Sequence, residues 1–380
     1  MTRVSRRNLR QACVALLLLL TWGCGPGEDD APANQNPSWT AGQAWSVMPA
    51  GRIGKSGEVD FGMIVDVAMD AEGRVWVADA SSNDIRVFTR DGELVRTVGR
   101  RGGGPAEFTS LGGMDWDLAG RLWVMDGGNA RFSVWDTAGN LVATHPRTVD
   151  VSTTPWPLGF DRSGRLFDVA SVGGAEIDAL VAYDSLLKPL DTLRLPPFQE
   201  PAAERVSMNG SSRVVSRTVL PFSPSQKWAL DRRGYVWVAV TDKYRIERRG
   251  PDGRVDGVVR RTVPPVPVNR VQRNAALEQL RTLKRQGAQV DESALPTTLP
   301  VLYYFFASED GHLWVSTAKG DGFGYDVFTP AGLYLGEVRT PERLRPSPAP
   351  VIRGDYMAGV ATNEDGEETI LMLRIVRPGR

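Results

Sequence analysis

The chain has 380 residues, with 45 Lys and Arg against 45 Asp and Glu, and only two His and two Cys. Balanced charge gives no basic footprint for nucleic acid, so none is expected as a partner. Two His exclude a three-histidine zinc centre, and two Cys exclude a disulfide scaffold or a Cys-rich metal site.

The N-terminus reads as a targeting segment. Arg3, Arg6, Arg7 and Arg10 form a basic region, and Ala12 to Leu20 form an apolar run too short to span a bilayer. Residues 1–23 are therefore expected to be a signal peptide. Leu20-Thr21-Trp22-Gly23-Cys24 resembles a bacterial lipobox, with the Leu four places before the Cys instead of three. Cys24 is the expected lipidation site. Ser5-Arg6-Arg7-Asn8-Leu9 also resembles a twin-arginine signal, which leaves the export route open. Cleavage would remove four Arg and Cys13 and leave acidic residues in slight excess. Residues 24–40 are rich in Gly, Pro, Asn, Asp and Glu, and they read as a lipidated flexible tether.

Beyond the tether the chain repeats. The pattern Asp-x-x-Gly-x-(Val/Leu)-Trp-Val occurs at Asp70–Val77, Asp117–Val124 and Asp231–Val238. Weaker copies start at Asp161 and at Glu309, and a degenerate one is Asn363 to Gly366. Asp-x-x-Gly suits a tight turn, since Asp bonds back to the turn amides and Gly accepts positive φ. The residues that follow are β-branched or aromatic, as a strand prefers. A second turn glycine comes 19 residues later at Gly92, Gly139 and Gly253. The unit is then a four-stranded antiparallel blade.

A lone blade exposes both faces of its sheet, and a ring of blades buries them. Six copies predict an all-β fold: a six-bladed β-propeller over residues 41–376, with one short helix in an inter-blade insertion. Trp76, Trp123, Trp237 and Trp314 read as packing residues between blades. The sixth copy has room for three strands, and Trp45 to Ile53 is expected to supply the fourth and close the ring.

Val77-Ala78-Asp79 with Ile85 to Phe88 resembles the NHL repeat, as does Val124 to Phe132 with its Asn129 and Arg131. Gly99 to Phe108 resembles the inter-blade connection of bacterial six-bladed propeller lipoproteins. The resemblance implies the fold and says little of function. NHL-like propellers include scaffolds, ligand binders and some hydrolases and lyases.

Asp79 and Asp126 recur at one position, which points to carboxylates holding loop amides. Gly102-Gly103-Gly104 opens no helix and lacks a following Lys-Ser/Thr, so it reads as a crossover, not a phosphate loop. Arg100 and Arg101 beside it, with Arg131 and Arg273, are the candidate ligand-binding residues. No Gly-x-Ser-x-Gly elbow occurs. No catalytic residue, metal ligand or cofactor is assigned.

Two insertions break the repeat, 196–224 and 263–300. The second predicts a helix over Asn269 to Gln286, capped by Asn269, with Val271, Ala275, Leu280 and Leu283 as its apolar stripe and Arg270, Arg273, Arg281, Lys284 and Arg285 as a basic side. Both insertions leave fourth strands, so they are expected on one face, over the central channel, beside Arg100 and Arg101. The expected protein is a monomeric, lipid-anchored module of the cell envelope, at the outer membrane or periplasmic face, that binds a small ligand or a protein. The alternative is a metal-dependent hydrolase or lyase on the same propeller.

Overall fold

The computed structural model describes residues 36–40, 42–54, 59–147, 159–170, 179–209, 212–318, 323–363 and 366–379. The segment expected to be a signal peptide, residues 1–23, and the expected lipidation site Cys24 lie outside the described residues.

Six four-stranded antiparallel sheets follow one another around a channel. Blades one to five span 64–98, 111–146, 159–194, 226–260 and 302–340. The sixth combines three C-terminal strands, Val351–Arg353, Tyr356–Thr362 and Glu368–Val376, with Ser46–Ile53 as its outermost strand. Ser46 pairs with Val376 and Ile53 with Ile370, so the two ends of the chain close the ring. Ser38 and Trp39, which the sequence puts at the end of the tether, donate backbone hydrogen bonds to Tyr334 O and Leu335 O, both at 3.1 Å.

The repeated aspartate explains the turn. Asp70 Oδ1 accepts the amides of Glu72 and Arg74, while Oδ2 accepts Arg74 Nε at 2.6 Å and Trp76 Nε1 at 3.0 Å. Asp117 holds Arg121 and Trp123 in the same way. In the first, second and fourth blades the motif thus ties its turn to the tryptophan that packs between blades. Trp76, Trp237 and Trp314 are fully buried. Six apolar clusters hold the ring, one at every blade junction.

Two copies of the motif sit differently from the sequence reading. In the fifth blade Ser308, not Glu309, occupies the aspartate position: Gly311 N donates to Ser308 O, as Gly73 N does to Asp70 O. A serine is too short to reach the indole, and Trp314 Nε1 has no hydrogen-bond partner among the described residues. Asn363 to Gly366 connects the second and third strands of the sixth blade, the opposite end from the other copies.

The helix, α1, spans Arg270–Arg285, with Asn269 and Gln272 forming a reciprocal cap. Its buried residues are Ala276 and Leu280, with Leu277 and Leu283 beside them, and Val271 is 77% exposed. The true stripe is displaced from the expected one, because the surface it meets is the other insertion. That insertion is a hairpin, Ala202–Asn209 with Ser212–Val219, joined to the helical segment by the Glu204–Gln289 bridge. The two insertions share a small core of their own around Ala203, Leu220 and Leu280.

Candidate functional site

The innermost strand of each blade lines the channel, and two of these strands carry an aspartate in an otherwise apolar or small-residue run. Asp66, in Ile64–Met69, accepts the amides of Val67 at 2.8 Å and of Met114 in the second blade at 2.5 Å. Asp115, in Leu111–Trp116, accepts the amides of Trp116 at 2.8 Å and of Phe160 in the third blade at 2.7 Å. Each carboxylate therefore fastens its strand to the first strand of the next blade.

Asp115 also meets a cation. Arg232, from the turn after the fourth blade's first strand, donates Nη1 to Asp115 Oδ2 at 2.7 Å and Nη2 to Oδ1 at 2.5 Å. Nη1 donates to Phe160 O as well, at 2.9 Å. A planar guanidinium meeting both carboxylate oxygens is the geometry in which Arg binds strongly.

Burial pushes the Asp66 carboxyl up to about 7. The Met114 and Val67 amides oppose that rise and the nearby Asp115 charge adds to it. Asp66 keeps part of its surface open within the ring. A carboxyl that changes charge near neutral pH in a channel is the kind of group found at functional sites.

At the face carrying the Asp-x-x-Gly turns, the channel widens into a cavity of about 240 Å³. Met69, Met114, Phe160 and Phe305 are among its apolar walls, and Asp115, Asp231, Arg232, Glu309 and Arg353 are its charged groups. Arg353 Nη1 donates to Met69 O at 2.8 Å, and its Nε lies 3.6 Å from Glu309 Oε2. Arg162 reaches the same rim, donating Nη2 to Glu309 O at 3.2 Å. Apolar walls with a few fixed charges describe a site for a small amphipathic molecule.

The predicted site residues are elsewhere. Arg100 and Arg101 lie in the connection after the first blade, on the face opposite this cavity, and Arg131, which opens the second blade's third strand, reaches into the same connection. Their charges hold that connection in shape. Arg100 Nη2 pairs with Glu107 Oε1 at 2.8 Å, Arg101 Nη2 donates to Ser81 O at 2.9 Å, and Arg131 Nη2 donates to Gly104 O and, at 2.7 Å, to Glu107 O. Arg273 lies on α1, whose insertion leaves by the same face but packs its core with the hairpin. Asp79 accepts the amides of Gly62, Met63 and Ser81, and Asp126 those of Thr109 and Ser110, as their recurrence implies. His145 stacks on Trp123, and His312 Nδ1 lies 2.9 Å from Asp310 Oδ1; neither lines the cavity. Among the described residues no group of three or more His, Cys, Asp or Glu converges as for a metal ion, and no helix is long and apolar enough to cross a membrane. The signal for the observed site is an acid inside an innermost strand, in Ile-Val-Asp-Val and Gly-Met-Asp-Trp.

A family model, DUF5128, described as a 6-bladed beta-propeller, matches residues 56–153. No curated protein matches the chain. A solved structure from Bacteroides fragilis, described as an exported protein, is similar at 12% identity and a TM-score of 0.51, over 90% of this chain and 99% of that one. Virginiamycin B lyase from Staphylococcus aureus is similar at 12% identity and a TM-score of 0.45, over 88% and 99% of the two chains. The aldose sugar dehydrogenase of Streptomyces coelicolor, in its PQQ-bound form, gives 12% and 0.46, over 88% and 99%. The sheet order above and the matching family model make the chain a six-bladed β-propeller of four-stranded antiparallel blades.

Proposed function

We propose that this protein is a binding module of the cell envelope, held to a membrane through lipid on Cys24, whose ligand is a small amphipathic molecule taken at the turn-face mouth of the channel. The carrying observation is the cavity of about 240 Å³, walled by Met and aromatic side chains and crossed by the Arg232–Asp115 pair. A ligand there would lay its apolar part against Met69 and Phe305 and its polar end against Arg232, Arg353 or Glu309. The basic, then apolar N-terminus ending in Gly-Cys supports export and anchoring, and a protein of the same fold is described as exported.

Thermal shift against a panel of small amphipathic compounds tests the channel. Compounds that stabilise the wild type should lose their effect in Ala307→Trp, which places a large ring at the cavity wall. Equal shifts in both proteins would put binding outside the channel. Anchoring is tested by Cys24→Ala, which should move the protein from the membrane to the soluble fraction, because stable attachment depends on the acyl chains. Retention of that variant after a salt wash refutes the anchor.

A further inference from the structure

The junction between the third and fourth blades departs from the repeat. In four blades the third strand ends in an aromatic that pairs with the first residue of the second strand: Phe88 with Val75, Trp135 with Leu122, Tyr183 with Leu166 and Phe328 with Leu313. Each aromatic is buried against the preceding blade. In the fourth blade that position is Arg249, paired with Val236. Its neighbours on the same strand face, two and four residues back, are Glu247 and Arg245. The buried apolar cluster at this junction consists of Val169, Leu180, Leu193, Leu195, Val236 and Val238, with Trp228 and Leu230 partly buried against it; among the described residues no fully buried aromatic joins it.

With no ring at the Arg249 position, space remains. A cavity of about 370 Å³ lies there, with Asp242, Lys243, Arg245, Glu247 and Arg249 as its charged groups on the fourth-blade side and Pro196 and Phe198 facing them after the third blade's last strand. Glu247 pairs with both Arg245 and Arg249. Those hydrogen bonds hold its carboxyl below the usual range although burial pushes the other way. Two guanidiniums thus share one carboxylate. Arg249 Nη1 donates to Gly253 O at 3.0 Å, while its Nε is buried with no partner among the described residues. The side chains of Arg245 and Arg249 are 25% and 20% exposed, so both are partly desolvated, where a charge-assisted bond to an anion gains most.

We infer that this junction is a second binding site, for a small organic anion whose carboxylate or phosphate joins Glu247 between Arg245 and Arg249 and whose apolar body rests on Phe198 and Pro196. Arg245 and Arg249 each take one oxygen of Glu247, and a second anion supplies acceptors for the guanidinium N–H groups that this single carboxylate leaves unfilled. The site is independent of the channel, so either can fail without the other.

Isothermal titration with benzoate and phenyl phosphate, and benzyl alcohol as the neutral control, tests this on the full chain. Both anions should bind saturably in the millimolar range or tighter, the alcohol should not, and added salt should weaken them. Arg249→Phe restores the ring of the other blades; it should fold with an unchanged or higher melting temperature and lose at least about tenfold in affinity. Arg245→Gln gives the same loss of binding if the first variant is poorly folded. Equal affinity in wild type and a folded variant overturns the site, as does the absence of saturable binding by either anion. Ala307→Trp should leave this binding unchanged.

Discussion

Arg232 and Asp115 come from blades separated by a whole third blade, yet they meet through two parallel hydrogen bonds of 2.7 and 2.5 Å at the channel. The pair does more than neutralise charge. Asp115 also holds the Phe160 amide and Arg232 the Phe160 carbonyl, so the second, third and fourth blades are tied at one point.

Arg232→Met should therefore cost stability. The side chains of Arg232 and Asp115 are 30% and 13% exposed, so removing the cation strands a poorly hydrated carboxylate. A loss of about 2–3 kcal/mol is expected by denaturant titration. Adding Asp115→Asn should recover part of that loss, since the stranded charge is gone. If the double variant is less stable than the single, the carboxylate matters through its amide bond and not through Arg232.

Asp66 predicts a pH dependence of a definite sign. Its carboxyl ionises near 3.8 when unperturbed but only near 7 in the folded protein. The folded state then binds the extra proton between these values, so this group's contribution to stability falls as pH rises from about 4 to 7. The effect is about 4 kcal/mol at most. Asp66→Asn cannot ionise but keeps only one acceptor for the Val67 and Met114 amides, at a cost of about 1 kcal/mol. The wild type should be the more stable protein at pH 4 and the variant at pH 8. Parallel stability curves would show that Asp66 ionises without penalty.

The repeated aspartates should rank by burial. Asp70→Ala leaves the buried Trp76 indole and the Arg74 guanidinium without an acceptor, for an expected loss of about 3 kcal/mol. In Asp117→Ala the released Arg121 is 45% exposed and can turn to water, so the loss should be about half as large. Chemical denaturation of both variants checks the order. Equal losses would mean that the turn amides, not the indole and guanidinium, carry the effect.

Most of the ring is legible in the sequence because each turn states its own geometry. Gly73, Gly120, Gly164, Gly234 and Gly311 have φ between 73° and 91°, a region that side chains with a Cβ avoid, and the aspartate bonds lie within the motif. Such local rules are visible at short spacing. The channel contacts are not: Asp66 meets Met114 across 48 residues and Arg232 meets Asp115 across 117. Arg232 reads as an ordinary turn residue, and only the ring brings it to the channel. The insertions were legible as departures from the repeat, but their mutual packing was not, because the hairpin strand pattern carries little apolar alternation. Arg100, Arg101 and Arg131 stood out as cations beside glycines. The same local density lets them bond nearby carbonyls, of the loop itself and of Ser81, and Glu107.

Ring closure gives the sharpest test. Ser46–Ile53 pairs along the outermost edge of the sixth blade, and Ile53, 1% exposed, packs with Ile64 and Phe88 at the junction with the first blade. Trp45 and Trp39 pack against the cluster joining the fifth and sixth blades, with their rings 5.4 Å apart. Deleting everything through Gly54 removes a whole strand and leaves Glu368–Val376 as an open edge beside a thinned junction. Both junctions of the sixth blade lose contacts at once, so the melting temperature of the whole ring should fall. Deleting residues 25–36 removes no contact described here and should leave it unchanged. Trp39→Ala should lie between, because it removes one partly buried ring while Trp45 stays in place. The three melting temperatures, taken on one buffer series, decide the matter: equal values for the two deletions would mean that the propeller holds together without the N-terminal strand.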